Sequence, residues 1–392
     1  MSLKKCKIKD LGHIYTGNTP PTSERKYYGD KYPLIKPTDM TVDGRYIGKT
    51  EESLSEEGYN LFKGKLVPEN TPCIVTIGTI GKLCLTKEPS FCNQAVNSIV
   101  VNRELYDPLY VFYLMKISNP KVKFLSSGTA SGRENVSKTA FENIEVEVFP
   151  LPTQHKIAAI LSAYDDLIEN NTRRIKILEE MAQALYREWF MKFRFPGHEK
   201  VKMVESELGM VPEGWEVKKL GDVVELAYGK ALKADDRVEG SFLVYGSGGV
   251  VGYHNECLVK GPGIIVGRKG NVGSVFWSDY DFFPIDTVYY VKSTIPLPYI
   301  YYNLQSQNFI NNDAAVPGLN RNQAYMLPFL LPKEEVLFKF EIFVKNVFKH
   351  TKNLRNKNAN LRRTRDLLLP KLISGEVDVE KIDVQINNSG GT

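Results

Sequence analysis

The chain has 392 residues, 42% of them hydrophobic, and its 51 basic and 46 acidic side chains leave a net charge of +5. At about 150 residues per domain this is room for about two or three packed cores, which excludes disorder as the main state, while so small a charge excess does not by itself name nucleic acid as a partner. No apolar run reaches about 18 residues and the start, MSLKKCKIKD, has no apolar core, so neither a membrane span nor a secretory leader is expected and the cytoplasm is the expected compartment. The cysteines, Cys6, Cys73, Cys84, Cys92 and Cys257, are odd in number and form no C-x-x-C pair, which favours buried free thiols over disulfides or a zinc ribbon.

Residues 1–152 come first. Short β-branched and aromatic runs such as Cys73 to Ile77 and Ser98 to Val101, bounded by Gly, Pro and Asn, predict a sheet-containing domain, with a helix at Pro108 to Ile117. From Thr153 to Met191 there is neither glycine nor proline, and Ile157, Leu161, Tyr164, Ile168, Ile175, Leu178, Ala182, Leu185 and Trp189 recur in alternating steps of four and three. A 4-3 repeat of this length predicts one strand of a coiled coil, interrupted only by polar Asn171. At 1.5 Å per residue, about 39 residues make a rod roughly 58 Å long. Pro150 and Pro152 set its start, with Thr153 as the expected N-cap, and residues 153–199 form the central helical spacer.

Residues 200–332 read as a second sheet-containing domain, with runs at Ile264 to Val266 and Thr287 to Val291. A second long helix is predicted between Pro332 and Pro370, with Phe340, Phe343, Val347, Leu354, Leu361 and Leu368 on one stripe, giving a C-terminal spacer over 333–371. A narrow apolar seam is not stable alone, so the two helices are expected to pack as an intramolecular antiparallel coiled coil. The spacer carries 11 Lys and Arg against 4 acids, with Arg355, Lys357, Arg362, Arg363 and Arg365 as a basic stripe. Residues 372–392 form an acidic tail, expected to be partly disordered from Asn387.

The two halves repeat. Leu11-Gly12 and Leu34-Ile35 match Leu220-Gly221 and Leu243-Val244 at an offset of 209, and Gly78-Thr-Ile-Gly81 matches Gly270-Asn-Val-Gly273 at 192. Phe91, Val96 and Ile99 match Phe283, Val288 and Val291 at 192, Tyr110 and Tyr113 match Tyr299 and Tyr302 at 189, Gly132 matches Gly318 at 186, and Phe149 matches Phe329 at 180. Offsets that fall steadily describe one collinear alignment, so the unit of repetition is a domain followed by a long helix. The expected fold is α+β: two similar recognition domains separated by two long helices, a pseudo-two-fold repeat. Two domains on a rod engage two similar targets at a set distance, and roughly 58 Å spans about 17 base pairs of B-DNA.

The chain resembles the specificity subunits of type I restriction-modification enzymes. The resemblance covers nearly its whole length and is carried by Phe149-Pro-Leu-Pro-Thr-Gln-His-Lys-Ile157, Ile264-Ile-Val-Gly-Arg-Lys-Gly-Asn-Val-Gly273 and Thr364-Arg-Asp-Leu-Leu-Leu-Pro-Lys-Leu-Ile-Ser-Gly-Glu376. It implies that each domain reads one half of an interrupted double-stranded DNA site and that the helices dock two modification subunits, joined by restriction subunits. It also implies that the chain is not itself catalytic. Adenine-N6 methyl transfer and ATP-dependent cleavage, with their S-adenosylmethionine, ATP and Mg, are then expected on the partner chains, with no cofactor or metal in this one.

Catalytic signals agree with that expectation. Val244-Tyr-Gly-Ser-Gly248 is better read as a turn than as a methyl-donor loop, since no Asn-Pro-Pro-aromatic motif accompanies it, and no G-x-x-x-x-G-K-[ST] occurs. For DNA, the candidates stand on glycine-bounded loops. Gly78, Thr79, Gly81 and Lys82 in the first copy, and Arg268, Lys269, Gly270, Asn271 and Gly273 in the second, combine accessible backbone amides with charge suited to phosphate. Asn93, Gln94, Asn97, Arg133 and Asn135, and likewise Asn320, Arg321, Asn322 and Gln323, supply the amide and guanidinium types that pair with adenine and guanine edges. An autonomous DNA-modifying enzyme and a coiled-coil scaffold carrying two protein-binding domains are the alternatives.

Overall fold

The computed structural model describes residues 3–41, 44–128, 134–309, 318–380 and 382. The chain divides into two units, residues 1–170 with 358–392 and residues 171–357, so each long helix contributes one part to each unit.

In the first unit a four-stranded sheet runs in the spatial order Gly12–Thr16, Val96–Val101, Pro72–Val75, Leu83–Leu85. Helix Pro108–Phe124 begins with Asp107 accepting the Tyr110 amide at 2.8 Å and buries Tyr110 through Met115. The core continues into Ile157, Ala158 and Leu161 of the first long helix and Leu369, Leu372 and Ile373 of the second. Cys73, Cys84 and Cys92 are buried together in a smaller apolar cluster. In the second unit the equivalent sheet has the order Glu225–Tyr228, Val288–Lys292, Gly263–Gly267, Val275–Ser278. Here Tyr186 and Phe190 at the end of the first long helix pack with Phe340 of the second and with Tyr299 and Tyr302.

The ladders fix the register of the repeat. Val75 N–H binds Lys82 O, Gly81 N–H binds Val75 O and Ile80 N–H binds Gly78 O; Gly267, Gly273 and Val272 make the same bonds to Ser274, Gly267 and Gly270, all 192 residues on. The 189 offset also holds, since Val111 N–H binds Asp107 O as Ile300 N–H binds Pro296 O. The other pairings move. Lys7 N–H binds the Asp10 carboxylate as Lys219 N–H binds that of Asp222, an offset of 212 rather than 209. Asn93 N–H binds Ile35 O as Ile285 N–H binds Tyr245 O: the donors keep the 192 offset, and the acceptors stand at 210 rather than 209. Lys7 pairs with Glu145 as Lys219 pairs with Pro328, which makes 183, rather than 180, the offset at the final strand. Gly132 lies outside the described residues, and Gly318 corresponds to Asn135, each bridged to the glycine turn. Matching identical letters slid these segments by one or three residues, and a one-residue slip exchanges the two faces of a strand.

The helices also depart from expectation at their ends. The first spans Leu151–Tyr186, because Pro150 O accepts the first amides and Pro152 falls in the opening turn, where a missing N–H is not needed. It continues as one π-type turn over Arg187–Met191, with Lys192 N–H on Arg187 O at 2.9 Å. The second spans Glu334–Ser374 and passes through Pro370. The cost of an interior proline, about 3 kcal/mol, is offset here by burial of Leu369, Leu372 and Ile373. The helix ends at Gly375 with φ of 80°. Residues 383–392, including the stretch from Asn387, lie outside the described residues.

Within each unit the paired helix segments run antiparallel. In the first, Asp165 meets Arg365 and Ile168 O accepts from Asn358 Nδ2 at 3.3 Å. In the second, Glu179 meets Arg355 at 2.5 Å and Phe190 meets Phe340. Ile157, Leu161 and Ile168 are buried, whereas Tyr164, Ile175, Leu178 and Leu185 are half-buried. On the second helix Val347 and Leu354 are buried, and Leu361 and Leu368 are half-buried. Phe343 is a correction: it is 40% exposed, and Val344, one position on, is fully buried. The sequence of steps is Phe340, Val344, Val347, Thr351, Leu354, Asn358, and Phe343 breaks the phase of that series.

Candidate nucleic-acid interface

In the second unit, strand Gly263–Gly267 leads into a turn in which Gly270 and Gly273 have φ of 77° and 75°. The amides of Arg268 and Lys269 both bind Thr287 O, at 2.9 and 3.1 Å, so this backbone is anchored to the neighbouring strand. The Arg268 guanidinium lies over the rings of Tyr228 and Tyr289, at 4.9 and 5.9 Å, and its Nη1 donates to Asp286 O at 3.0 Å. Arg321 lies over the same Tyr228 ring at 4.8 Å. Asn320 caps the short helix Arg321–Tyr325, its Oδ1 accepting the amides of Asn322 and Gln323 at 2.9 and 3.3 Å. These groups line a cavity of about 360 Å³, with Lys269, Asn320 and Asn322 at its rim. No carboxylate lines it among the described residues. Burial, and then the neighbouring Tyr228 phenol, push the Tyr289 phenol up to about 12. Lys269, Gly270, Asn271, Asn322 and Gln323 are exposed. The structure therefore brings together most of the candidates from this half and adds Tyr228 and Tyr289, which sequence reasoning missed. Tyr289 is findable from the repeat, standing 192 residues after the candidate Asn97, whereas Tyr228 needs the corrected register, in which position 228 answers position 16 at an offset of 212.

The first unit has the same frame with different side chains. At the positions of Tyr228, Arg268 and Tyr289 stand Thr16, Thr76 and Asn97. Asn97 is 1% exposed, its Oδ1 accepting from Thr16 Oγ1 at 2.6 Å and its Nδ2 donating to Thr76 Oγ1 at 3.0 Å. Both ends of the amide are used inside the protein, so Asn97 is a structural residue and not a base contact. Three of the four turn glycines, Gly78, Gly81 and Gly273, also need correction as amide cradles for phosphate. Gly78 N–H is bound by Glu134 O at 2.9 Å, Gly81 N–H by Val75 O and Gly273 N–H by Gly267 O. These glycines serve the turn itself, their positive φ being costly for other residues. Lys82 Nζ is held by Pro37 O at 2.9 Å. Thr79 and Gln94 are exposed, Gln94 Oε1 accepting from Thr19 Oγ1, and half-buried Asn93 accepts the Ala95 amide across its own turn. Asn135 is half-buried in strand Glu134–Asn135, opposite Ile77 of the glycine turn. Arg133 lies outside the described residues.

The basic stripe on the second long helix is not one exposed face. Arg355 is paired with Glu179 and Asp279, the latter at 2.9 Å. Arg365 is 2% exposed and bound to Asp165 and Asp366. Burial opposes its charge, but the two carboxylates hold its pKa above the ordinary guanidinium value. Lys357 and Arg363 are exposed and Arg362 is half-buried.

Residues 2–180 and 212–335 match the family described as type I restriction modification DNA specificity domain. The chain is 26% identical to the specificity subunit of the type I restriction enzyme MjaIX of Methanocaldococcus jannaschii, over 96% of this chain and 94% of that one. It is 22% identical to the specificity subunit of the type I restriction enzyme EcoprrI of Escherichia coli, over 84% and 83% of the two chains. In fold it is similar to the crystal structure of a type I restriction-modification S subunit from M. genitalium, with a TM-score of 0.56 at 20% identity, covering 95% of this chain and 96% of that one.

Proposed function

The chain belongs to the type I restriction modification DNA specificity family, and we propose that it works as the specificity subunit of a methylating and restricting complex, with catalysis on partner chains. Its two specificity domains read the two halves of an interrupted DNA site. One observation carries this furthest: the domains share the strand pairings and the backbone bonds of the glycine turn, yet fill the same three positions with Thr16, Thr76 and Asn97 in one and Tyr228, Arg268 and Tyr289 in the other. A shared frame filled by different side chains is what two different half-sites require.

The long helices are the proposed docking surface for two modification subunits, and restriction subunits join that core. Specificity subunits are in general not catalytic, and adenine-N6 methyl transfer is assigned to the modification subunits, with S-adenosylmethionine, ATP and Mg bound by partners. Exposed Lys269, Asn271, Asn322 and Gln323 are proposed contacts in the second domain, and Thr79, Lys82, Asn93, Gln94 and Asn135 in the first. No helix among the described residues is long and apolar enough to cross a membrane. The test is to co-express the chain with its neighbouring modification subunit and to map methylated positions. A bipartite motif with a fixed unread spacer is expected. Methylation by the chain alone would instead support an autonomous enzyme, and absence of any DNA affinity a protein-binding scaffold.

A further inference from the structure

Within the second recognition domain, two guanidinium groups converge on one tyrosine ring, and they differ in what else they do. Arg268 is committed to the frame. Its amide binds Thr287 O, its carbonyl accepts the Leu319 amide at 2.7 Å and its Nη1 donates to Asp286 O. Arg321 is not committed in this way. It opens a helix that Asn320 caps, lies over Tyr228 at 4.8 Å and Tyr325 at 5.9 Å, and its buried Nε has no hydrogen-bond partner in the chain. Among the described residues no carboxylate pairs with it. The Tyr228 ring covers one side of the group, and because Nε is itself buried, the pair of donors left for the cavity that Arg321 lines is Nη1 and Nη2.

We propose that Arg321 reads a guanine in the half-site of the second domain, donating from this pair to O6 and N7, and that Tyr228 is the positioning residue that holds the guanidinium plane for it. The inference rests on the specificity-subunit reading above and names one base that reading leaves open. Two planar donors match the paired acceptors that guanine presents in the major groove. A phosphate offers paired acceptors as well, but needs no fixed plane, and a point charge such as exposed Lys269 on the rim suits it. The first domain supports the assignment by contrast. At the position of Arg321, 183 residues earlier, stands Lys138, 3.5 Å from Glu142, and the position of Tyr228 is Thr16, turned inward onto Asn97. That domain has no arginine fork at this position, so this particular guanine contact is expected in one half-site only.

The experiment uses the full chain co-expressed with its modification subunit, with methylated positions mapped across a genome. For Arg321→Ala, one guanine position of one half-site is expected to become degenerate, discrimination there falling by about 5- to 150-fold, while the other half-site keeps every base. Arg321→Lys keeps the charge and loses the fork, so it is expected to degenerate at the same position; it also decides the matter should the alanine variant fail to assemble. Tyr228→Ala is expected to loosen the same base and Tyr228→Phe, which keeps the stacking face, to restore it. A uniform loss of methylation with an unchanged motif, the mark of a phosphate contact, overturns the proposal, as does relaxation at a base other than guanine. Failure of the underlying reading looks different: the unaltered complex yields no bipartite motif at all.

Discussion

Arg365 of the second long helix and Asp165 of the first form an ion pair at 2% and 7% side-chain exposure, and the Tyr113 hydroxyl donates to the other Asp165 oxygen at 2.5 Å. In the seam of the second helix, Arg365 follows Thr351 and Asn358 at seven-residue intervals, and all three are buried. Thr351 bonds back to Phe348 O of its own helix, but Asn358 and Arg365 bond across to Ile168 O and Asp165, so these two cost stability and fix register, because sliding the helices would leave them without their partners.

Removing one partner should therefore be far worse than removing both. Asp165→Leu leaves Arg365 charged and buried beside Asp366, and a loss of about 3–5 kcal/mol is expected in urea denaturation. The double variant Asp165→Leu with Arg365→Met should recover most of it. A double variant as unstable as the single would show that the pair contributes net stability rather than register.

Alkaline titration tests the buried phenols. Burial pushes Tyr113 and Tyr299 well above the ordinary phenol value, with Asp165 adding to the effect at Tyr113 and Tyr186 at Tyr299. A folded-state pKa above the unfolded one means that the folded chain holds the proton longer. The stabilisation is thus complete below about pH 10 and is lost as pH rises through the folded values. Absorbance of tyrosinate should show the buried phenols ionising only together with loss of the far-ultraviolet circular dichroism signal. Ionisation of all tyrosines in a single early step, with the fold intact, would contradict this.

Asn97 separates a structural role from a reading role. Asn97→Ala strips the partners from Thr16 and Thr76 in a buried position, at a cost of about 1–3 kcal/mol, and the methylated motif should keep every base. A changed base in the first half-site, in a variant that remains folded, would restore Asn97 to the reading surface.

What the sequence showed and what it hid have separate physical causes. The glycine turns at 78–81 and 270–273 aligned correctly because positive φ restricts the residue type, so the letters carry the geometry. The final strand is set instead by its ladder, Val146 corresponding to Phe329, and the equal hydrophobicity of Phe149 drew the match three residues away. Phe343 and Val344 are both apolar, and only packing decides between adjacent letters. Asp165 and Arg365 were hidden for another reason: a search for apolar periodicity passes over the charged residues that occupy the same seam. Asn97 and Asn320 show that an amide near a loop is as readily consumed by Thr side chains or a helix cap as left open.

Asn320 illustrates how to keep these roles apart. Asn320→Ala removes the cap from the helix that carries Arg321, so a loss of about 0.5–2 kcal/mol is expected in thermal or urea unfolding. Asn320→Ser keeps a side-chain acceptor at the same position and should retain most of that stability. Equal losses for both would mean that Asn320 acts through something other than the amides of Asn322 and Gln323.

Lys269 allows phosphate binding to be separated from base reading in the same cavity. It is exposed at the rim, its backbone is anchored to Thr287, and its side chain is not part of the guanidinium stack on Tyr228. A lysine used as a point charge toward phosphate contributes alike to every sequence, and its counterion release appears in the salt dependence. For Lys269→Ala in the assembled complex, affinity should fall by a similar factor for the recognised site and for a random duplex. The slope of log affinity against log salt should drop by about 1, and the methylated motif should be unchanged. Because Arg268 is held by Tyr228, Tyr289 and Asp286 independently of Lys269, the cavity itself stays in place. A motif that loses a base in this variant, with the salt slope unaltered, would move Lys269 from the backbone to the base edges.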